Sequence, residues 1–227
     1  APLAGDGLTM YLRYVGTDIP AFAKQFDRFK IVKGASVPAG QRGILINQKF
    51  ADVQLKLKAA RLLDSIRDGR KEGKTIAADA ALKAQARQAA SQFGSVSLML
   101  DPSQAAELEP KLRALLPAVQ GDLDDLLKAL LTVDDANFDA RYAFFYETVG
   151  PLIELYPFEI GDVVTIRTFT KTGYVKAANV KVWGTFAFDG LERSELTGAA
   201  NLLDLLTFRD FYGQMSPETL AELKAIK

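Results

Sequence analysis

Three short runs in this 227-residue chain carry side chains suited to phosphate, metal or acyl chemistry, and each lacks a group that the chemistry requires. Gly73-Lys74-Thr75 matches the end of a phosphate-binding loop, in which glycines let backbone N–H groups cradle phosphate while the lysine reaches its terminal oxygens. The first glycine of such a loop must stand five residues before Gly73, and Asp68 stands there, so the run reads as a solvated break between helices. Asp135, Asn137 and Asp139 are spaced like the first three ligands of a calcium loop, but the sixth and twelfth positions, which need Gly and a bidentate Glu, are Ala140 and Tyr146. Capping of a helix by Asp134 or Asp135, with acidic side chains favoured by the helix dipole, explains these residues. Lys171-Thr172-Gly173 matches one element of penicillin-recognising serine enzymes, yet no serine has a lysine three positions later, and a hairpin turn is the better reading. The carboxylate pairs Asp124-Asp125 and Glu107/Glu109 lie on helical stretches where a solvated face accounts for them.

The absences narrow the chemistry further. The sequence contains no His and no Cys, which removes the usual acid–base side chain near neutrality, the commonest metal ligand, thiol nucleophiles and disulfides together. No catalytic residue, metal ligand or cofactor site is therefore expected. With 28 basic and 28 acidic residues the formal charge is zero, so no long-range field favours nucleic acid. No apolar run approaches the ~20 residues that span a bilayer.

The elements follow from periodicity. Residues 7–15 alternate loosely and predict a strand ending at Gly16. Thr17 or Asp18 can cap a short helix with Pro20 in its first turn and Phe22, Phe26 and Phe29 on one face, and Ile44, Leu45 and Ile46 form a buried strand. From Asn47 the pattern turns helical for about a hundred residues. Phe50, Val53, Leu57, Ala60, Leu63 and Ile66 predict one helix, broken by the charged stretch at 67–74. An Ala-rich helix over 75–93 follows. Asp101-Pro102-Ser103-Gln104 opens another, which Pro110 and Pro117 break or bend. Leu123, Leu126, Leu127, Leu130 and Leu131 predict a further helix. Phe138, Tyr142, Phe145 and Val149 predict the next, on which Phe144 and Tyr146 point away from the stripe; a helix apolar on two faces is expected to be sandwiched in a core, with Phe144 and Tyr146 as candidate partner-binding residues in the alternative. Residues 163–169 and 180–188 then alternate around Gly173 as a hairpin. Leu202, Leu203, Leu205, Leu206, Phe208 and Phe211 predict a helix ending at Gly213, and Ser216-Pro217-Glu218 opens a last one.

The fold class expected is α+β: a small mixed-sheet domain split in sequence, residues 1–49 and 157–227, with a largely helical subdomain inserted at 50–156. Several motifs, taken in order, carry a resemblance. Gly161-Asp162 enters a strand, Val182-Trp183-Gly184-Thr185-Phe186 runs to a Phe188-Asp189-Gly190 corner, and an apolar helix follows. Upstream, Tyr14-Val15-Gly16-Thr17-Asp18, Phe29-Lys30-Ile31-Val32-Lys33-Gly34 and Gly43-Ile44-Leu45-Ile46 agree. Over roughly residues 8–52 and 157–213 the chain resembles the extracytoplasmic, porter-like domain of FtsX-like ABC-transporter permeases, the group of the macrolide-exporter and lipoprotein-releasing permeases. The start at Ala1-Pro2-Leu3 fits a piece cut from between two membrane helices. The resemblance implies a non-enzymatic periplasmic domain of an inner-membrane protein. Its implied partners are the transmembrane helices of its own chain, a cytoplasmic ATPase subunit, a second permease subunit and a periplasmic cargo or partner protein. The competing expectation is a free-standing periplasmic carrier or chaperone that holds apolar cargo with its helical arm; an enzyme working with carboxylates alone ranks below both.

Overall fold

The computed structural model describes residues 2–5, 8–169, 173–190 and 200–212. In chain order the elements are β1 (Pro2–Gly5), β2 (Leu8–Tyr11), β3 (Arg13–Thr17), α1 (Ile19–Gln25), β4 (Phe29–Gly34), β5 (Ile44–Asn47) and α2 (Gln48–Phe50), which runs into a π-helical turn over Ala51–Leu55. Next come α3 (Lys58–Lys71), α4 (Ala80–Ala90), α5 (Phe93–Ser97), α6 (Pro102–Leu115), α7 (Leu123–Leu131) and α8 (Phe138–Phe144), which continues as a π-helical turn over Phe145–Val149. β6 (Val163–Phe169), β7 (Val175–Phe188), β8 (Ala200–Asp204) and α9 (Leu205–Tyr212) close the chain. The fold is α+β, and two compact units divide it: Ala1–Leu55 with Pro157–Lys227, and Lys56–Tyr156. The first boundary falls after the π-helical turn at Leu55, later than the insertion expected from residue 50, because α2 and that turn belong to the sheet-containing unit.

In the first unit the strands form a mixed sheet in the order β2-β1-β6-β7-β5-β8-β3, with β4 also on β7. β7 is the shared strand: its first half pairs antiparallel with β6, and its second half lies between antiparallel β4 and parallel β5. Alternation along β6 buries Val164, Ile166 and Thr168 and leaves Val163 and Phe169 exposed, as the period-2 pattern predicts. Lys171 and Thr172 of the expected hairpin turn lie outside the described residues. β4 approaches β7 where Gly34 pairs with Gly184. A Cβ on Gly184 would meet the Ala35 backbone O and N at 3.0 and 3.1 Å, and Gly34 has φ +76°, so both positions require glycine.

Two expectations for this unit change. Phe29 opens β4 rather than continuing α1, although its ring still packs edge-on against Phe22 at 5.7 Å. Leu202 and Leu203 lie in β8, not in a helix. β8 runs parallel to β3 and antiparallel to β5, so successive residues are buried on opposite faces, and a doubly covered strand reads as an unbroken apolar run. Leu202 joins Ile19, Phe29, Val37, Leu45 and Phe186 beneath α1. Leu203 is in register with Gly16, against which Phe208 of α9 packs, so α9 covers the other face. Gly213 and the helix expected from Ser216 lie outside the described residues.

The second unit is helical among the described residues and is built on one core: Ala60, Leu63 and Ile66 of α3, Leu108 and Leu112 of α6, Leu126, Leu127 and Leu130 of α7, Phe138, Phe145 and Val149. Its chain enters at Lys56 and leaves at Tyr156, and the Leu57 N–H donates to the Leu155 carbonyl at 2.8 Å. The helix expected from Phe50 through Ile66 is interrupted before Lys58. α3 then runs through Gly69, over which Leu82 packs, and stops at Gly73 instead. There Gly73 N–H bonds Arg70 O and Lys74 N–H bonds Gly69 O, the paired ending that φ +84° at Gly73 allows. α4 starts at an Asp79 cap, so the Ala-rich stretch is helical only from Ala80, and residues 93–97 form the separate α5. The Asp101 capping box forms as predicted; α6 passes through Pro110 and ends before Pro117.

The glycines give a paired prediction. Gly184→Ala destabilises the protein by about 1–3 kcal/mol, because the added methyl meets backbone that cannot rotate away. Gly94→Ala, whose Cβ meets nothing within 4 Å, stabilises α5 by up to roughly 1 kcal/mol. Urea unfolding of both variants checks the pair.

Candidate functional site

Two polar constellations stand out among the described residues, one in each unit. In the helical unit Asp64 is the hub. α3 places Asp64 on its polar edge with Arg67 one turn later, and α8 with its π-helical turn presents Tyr142 and Tyr146 four residues apart. The Asp64 carboxylate accepts from the Tyr142 hydroxyl at 2.9 Å, the Tyr146 hydroxyl at 2.8 Å and Lys56 Nζ at 2.7 Å, with Arg67 Nη1 at 3.6 Å. Arg67 also donates to the Tyr142 hydroxyl at 2.6 Å and pairs with Asp68 at 2.8 Å. The Tyr142 and Tyr146 rings lie 4.8 Å apart, and Lys56 Nζ sits 4.9 Å from the Tyr146 ring centre. Two cations and two carboxylates thus balance in one place.

This arrangement fixes its protons. Burial, followed by the Asp64 carboxylate, pushes the Tyr142 hydroxyl up to about 12 and that of Tyr146 higher still. Both phenols stay protonated donors at neutral pH, the opposite of what a tyrosine general base needs. The cluster is a lock joining α3, α8 and the root at Lys56.

The other constellation lies at the strand ends of the sheet-containing unit. β3 and β8 are parallel, and their last residues, Thr17 and Asp204, are paired. Each strand leads directly into a helix headed by an aspartate. Asp18 accepts from Ala21 N–H at 3.0 Å at the start of α1, and buried Asp204 accepts from Thr207 N–H at 2.8 Å at the start of α9. The second Asp204 oxygen accepts from Gly43 N–H at 2.9 Å. Between the helices and the 37–41 loop lies a cleft of about 210 Å³ lined by Asp18, Val37, Asp204, Leu206 and Arg209, among others. Open α/β sheets characteristically bind ligands beyond the carboxyl ends of their strands.

Of the residues singled out by sequence, Tyr146 joins the Asp64 hub and the others lie outside both constellations. Phe144 is half-buried against the helical core, and Tyr146, expected to point away from the Phe138–Tyr142 stripe, shares the Tyr142 side and is engaged by Asp64. The calcium-like triplet diverges. Asp134 caps Ala136 and Asn137, Asp135 accepts from Ile76 and Ala77 N–H at 2.7 and 2.9 Å, and Asp139 pairs with Arg70 at 2.8 Å. Those backbone bonds hold the Asp135 carboxyl below its usual range. Lys74 pairs with Glu72, Glu107 with Lys111, and Glu109 with Arg113, while Asp125 completes a capping box with Asp122. No group of three or more metal-ligating side chains occurs among the described residues, and none of their helices is long and apolar enough to cross a membrane. The Asp64 hub went unseen because its partners are 78 and 82 positions away; only the four-residue spacing of Tyr142 and Tyr146 hinted at a shared side. Comparisons with family models, with curated proteins and with solved structures give no match.

Asp64→Ala leaves Lys56, whose side chain is 11% exposed, without its carboxylate, and destabilises the helical unit by about 3 kcal/mol in chemical unfolding. The phenols set an alkaline limit. Their folded-state values lie above the ordinary 10, so their stabilising contribution is complete below about pH 10 and is lost as pH rises toward 12. Melting temperatures measured between pH 8 and 11.5 fall less steeply in Tyr142→Phe/Tyr146→Phe than in the parent.

Proposed function

We propose that this chain is a non-catalytic extracytoplasmic module of an ABC-transporter permease. In this reading it links membrane helices of its own chain to a periplasmic cargo or partner protein, and a cytoplasmic ATPase subunit drives the movement. One arrangement supports it. The segments that carry the resemblance, far apart in sequence, knit into a single sheet: Gly34 opposite Gly184, the Trp183 indole against Gly43 and donating to Arg42 O at 3.2 Å, and Asp189 paired with Lys30 while its N–H bonds Arg28 O at 2.8 Å. In sequence the helical unit is an insertion between the two parts of the sheet-containing unit, and its own root is tied by the Leu57–Leu155 bond. A tied root lets a compact body move as one piece, which a mechanical relay requires.

These 227 residues contain no cysteine, so a thiol introduced here is compared with the parent reading frame treated in the same way. Leu98, 89% exposed, is changed to Cys in the full reading frame, and whole cells with only the outer membrane permeabilised and the inner membrane intact are treated with a membrane-impermeant maleimide. The proposal expects labelling before lysis and an ATPase subunit that co-purifies from detergent-solubilised membranes. Labelling only after lysis contradicts an extracytoplasmic location. Labelling of a soluble species with no ATPase attached selects the free-standing carrier instead.

A further inference from the structure

The cleft at the ends of β3 and β8 has a composition that selects its ligand. Its charged lining residues are Asp18, Asp204 and Arg209. Asp204 is 5% exposed and already holds two backbone N–H groups, so it is fixed in place, and a carboxylate has lone pairs to accept more than two donors. Arg209 stands one helical turn after Leu205, half-buried, and forms no ion pair among the described residues. Val37, Pro38, Leu205 and Leu206 supply apolar walls.

These features exclude the simpler ligands. A phosphate or sulfate would seek the N-termini of α1 and α9, but Asp18 and Asp204 already occupy them and would repel it. A bare cation would suit the two carboxylates but would face the Arg209 guanidinium. A purely apolar molecule would engage neither the carboxylates nor the Arg209 guanidinium. The volume of about 210 Å³ lies below the roughly 300–1,000 Å³ that drug-sized ligands occupy.

We propose that this cleft binds a small zwitterion, an α-amino acid with an apolar side chain. The ligand carboxylate pairs with Arg209, whose planar fork suits bidentate recognition. Its ammonium group is received by Asp18 and the free lone pairs of Asp204, and its side chain rests on Val37 and Leu206. The proposal does not depend on the transporter reading, since it uses only the geometry of the sheet-containing unit.

Isothermal titration of the chain with L-leucine, L-methionine and L-phenylalanine tests it. Saturable binding of at least one is expected. For that amino acid, binding is weakened about tenfold or more by Arg209→Gln and by Asp18→Asn, and equally by removing either ligand charge, as in leucinamide or 4-methylpentanoate for leucine. The ligand analogues act on the unmodified protein, so the test survives a variant that fails to fold. Absence of saturable binding up to about 10 mM of all three amino acids, or binding unchanged when the ligand carboxylate is removed, overturns the proposal.

Discussion

The close approach of β4 to β7 at Gly34 and Gly184 is the constraint on which the sheet-containing unit depends. A side chain at Gly184 would displace the backbone at Ala35, and Gly34 takes a left-handed φ while the following Ala35 N–H still bonds Trp183 O at 3.0 Å. With β4 held there, β7 can carry β6 on its first half and β4 and β5 on its second, so one fourteen-residue strand joins both ladders. β5 in turn holds β8, and β8 holds β3. The cleft is the far end of that chain of dependence: Thr17 and Asp204 lie side by side only because β3 and β8 are in parallel register.

The helical unit solves a different problem. Its core is aliphatic and aromatic, and dispersion and burial alone tolerate sliding of one helix over another. The Asp64 cluster removes that freedom, because its hydrogen bonds have direction and its members come from α3, α8 and the entry segment. Asp135 does similar work at another point by accepting the Ile76 and Ala77 amides ahead of α4. Polar side chains thus fix register within this unit, whereas glycine packing fixes it in the sheet.

What could be read in the sequence was local. Asp18-x-Pro20, Asp101-Pro102 and the β6 alternation depend on neighbours within a few residues, and each formed as the pattern implies. Leu202 and Leu203 form a strand and not the expected helix because a short apolar run fits a buried helix and a buried strand equally well, and only the presence of β3 and β5 on either side decides between them. Gly69 did not break α3, because Leu82 fills the space above it. The Asp64 hub and the Asp18–Asp204–Arg209 cleft draw on residues far apart in the chain, and no spacing rule brings those together. The residues that looked most chemical, at 73–75 and 135–139, proved to be a helix ending and a set of loop braces.

If the Leu57–Leu155 bond and the shared core act together, the helical unit opens as one cooperative body tied at its root. Hydrogen exchange of the whole chain, followed by mass spectrometry in increasing sub-denaturing urea, tests it most directly. The account predicts that amides in α3, α6, α7 and α8 open together, with the Leu57 amide among them, separately from the amides of β5, β7 and β8. Exchange of the Leu57 amide well ahead of that helical set, or helices that open one at a time, would contradict it.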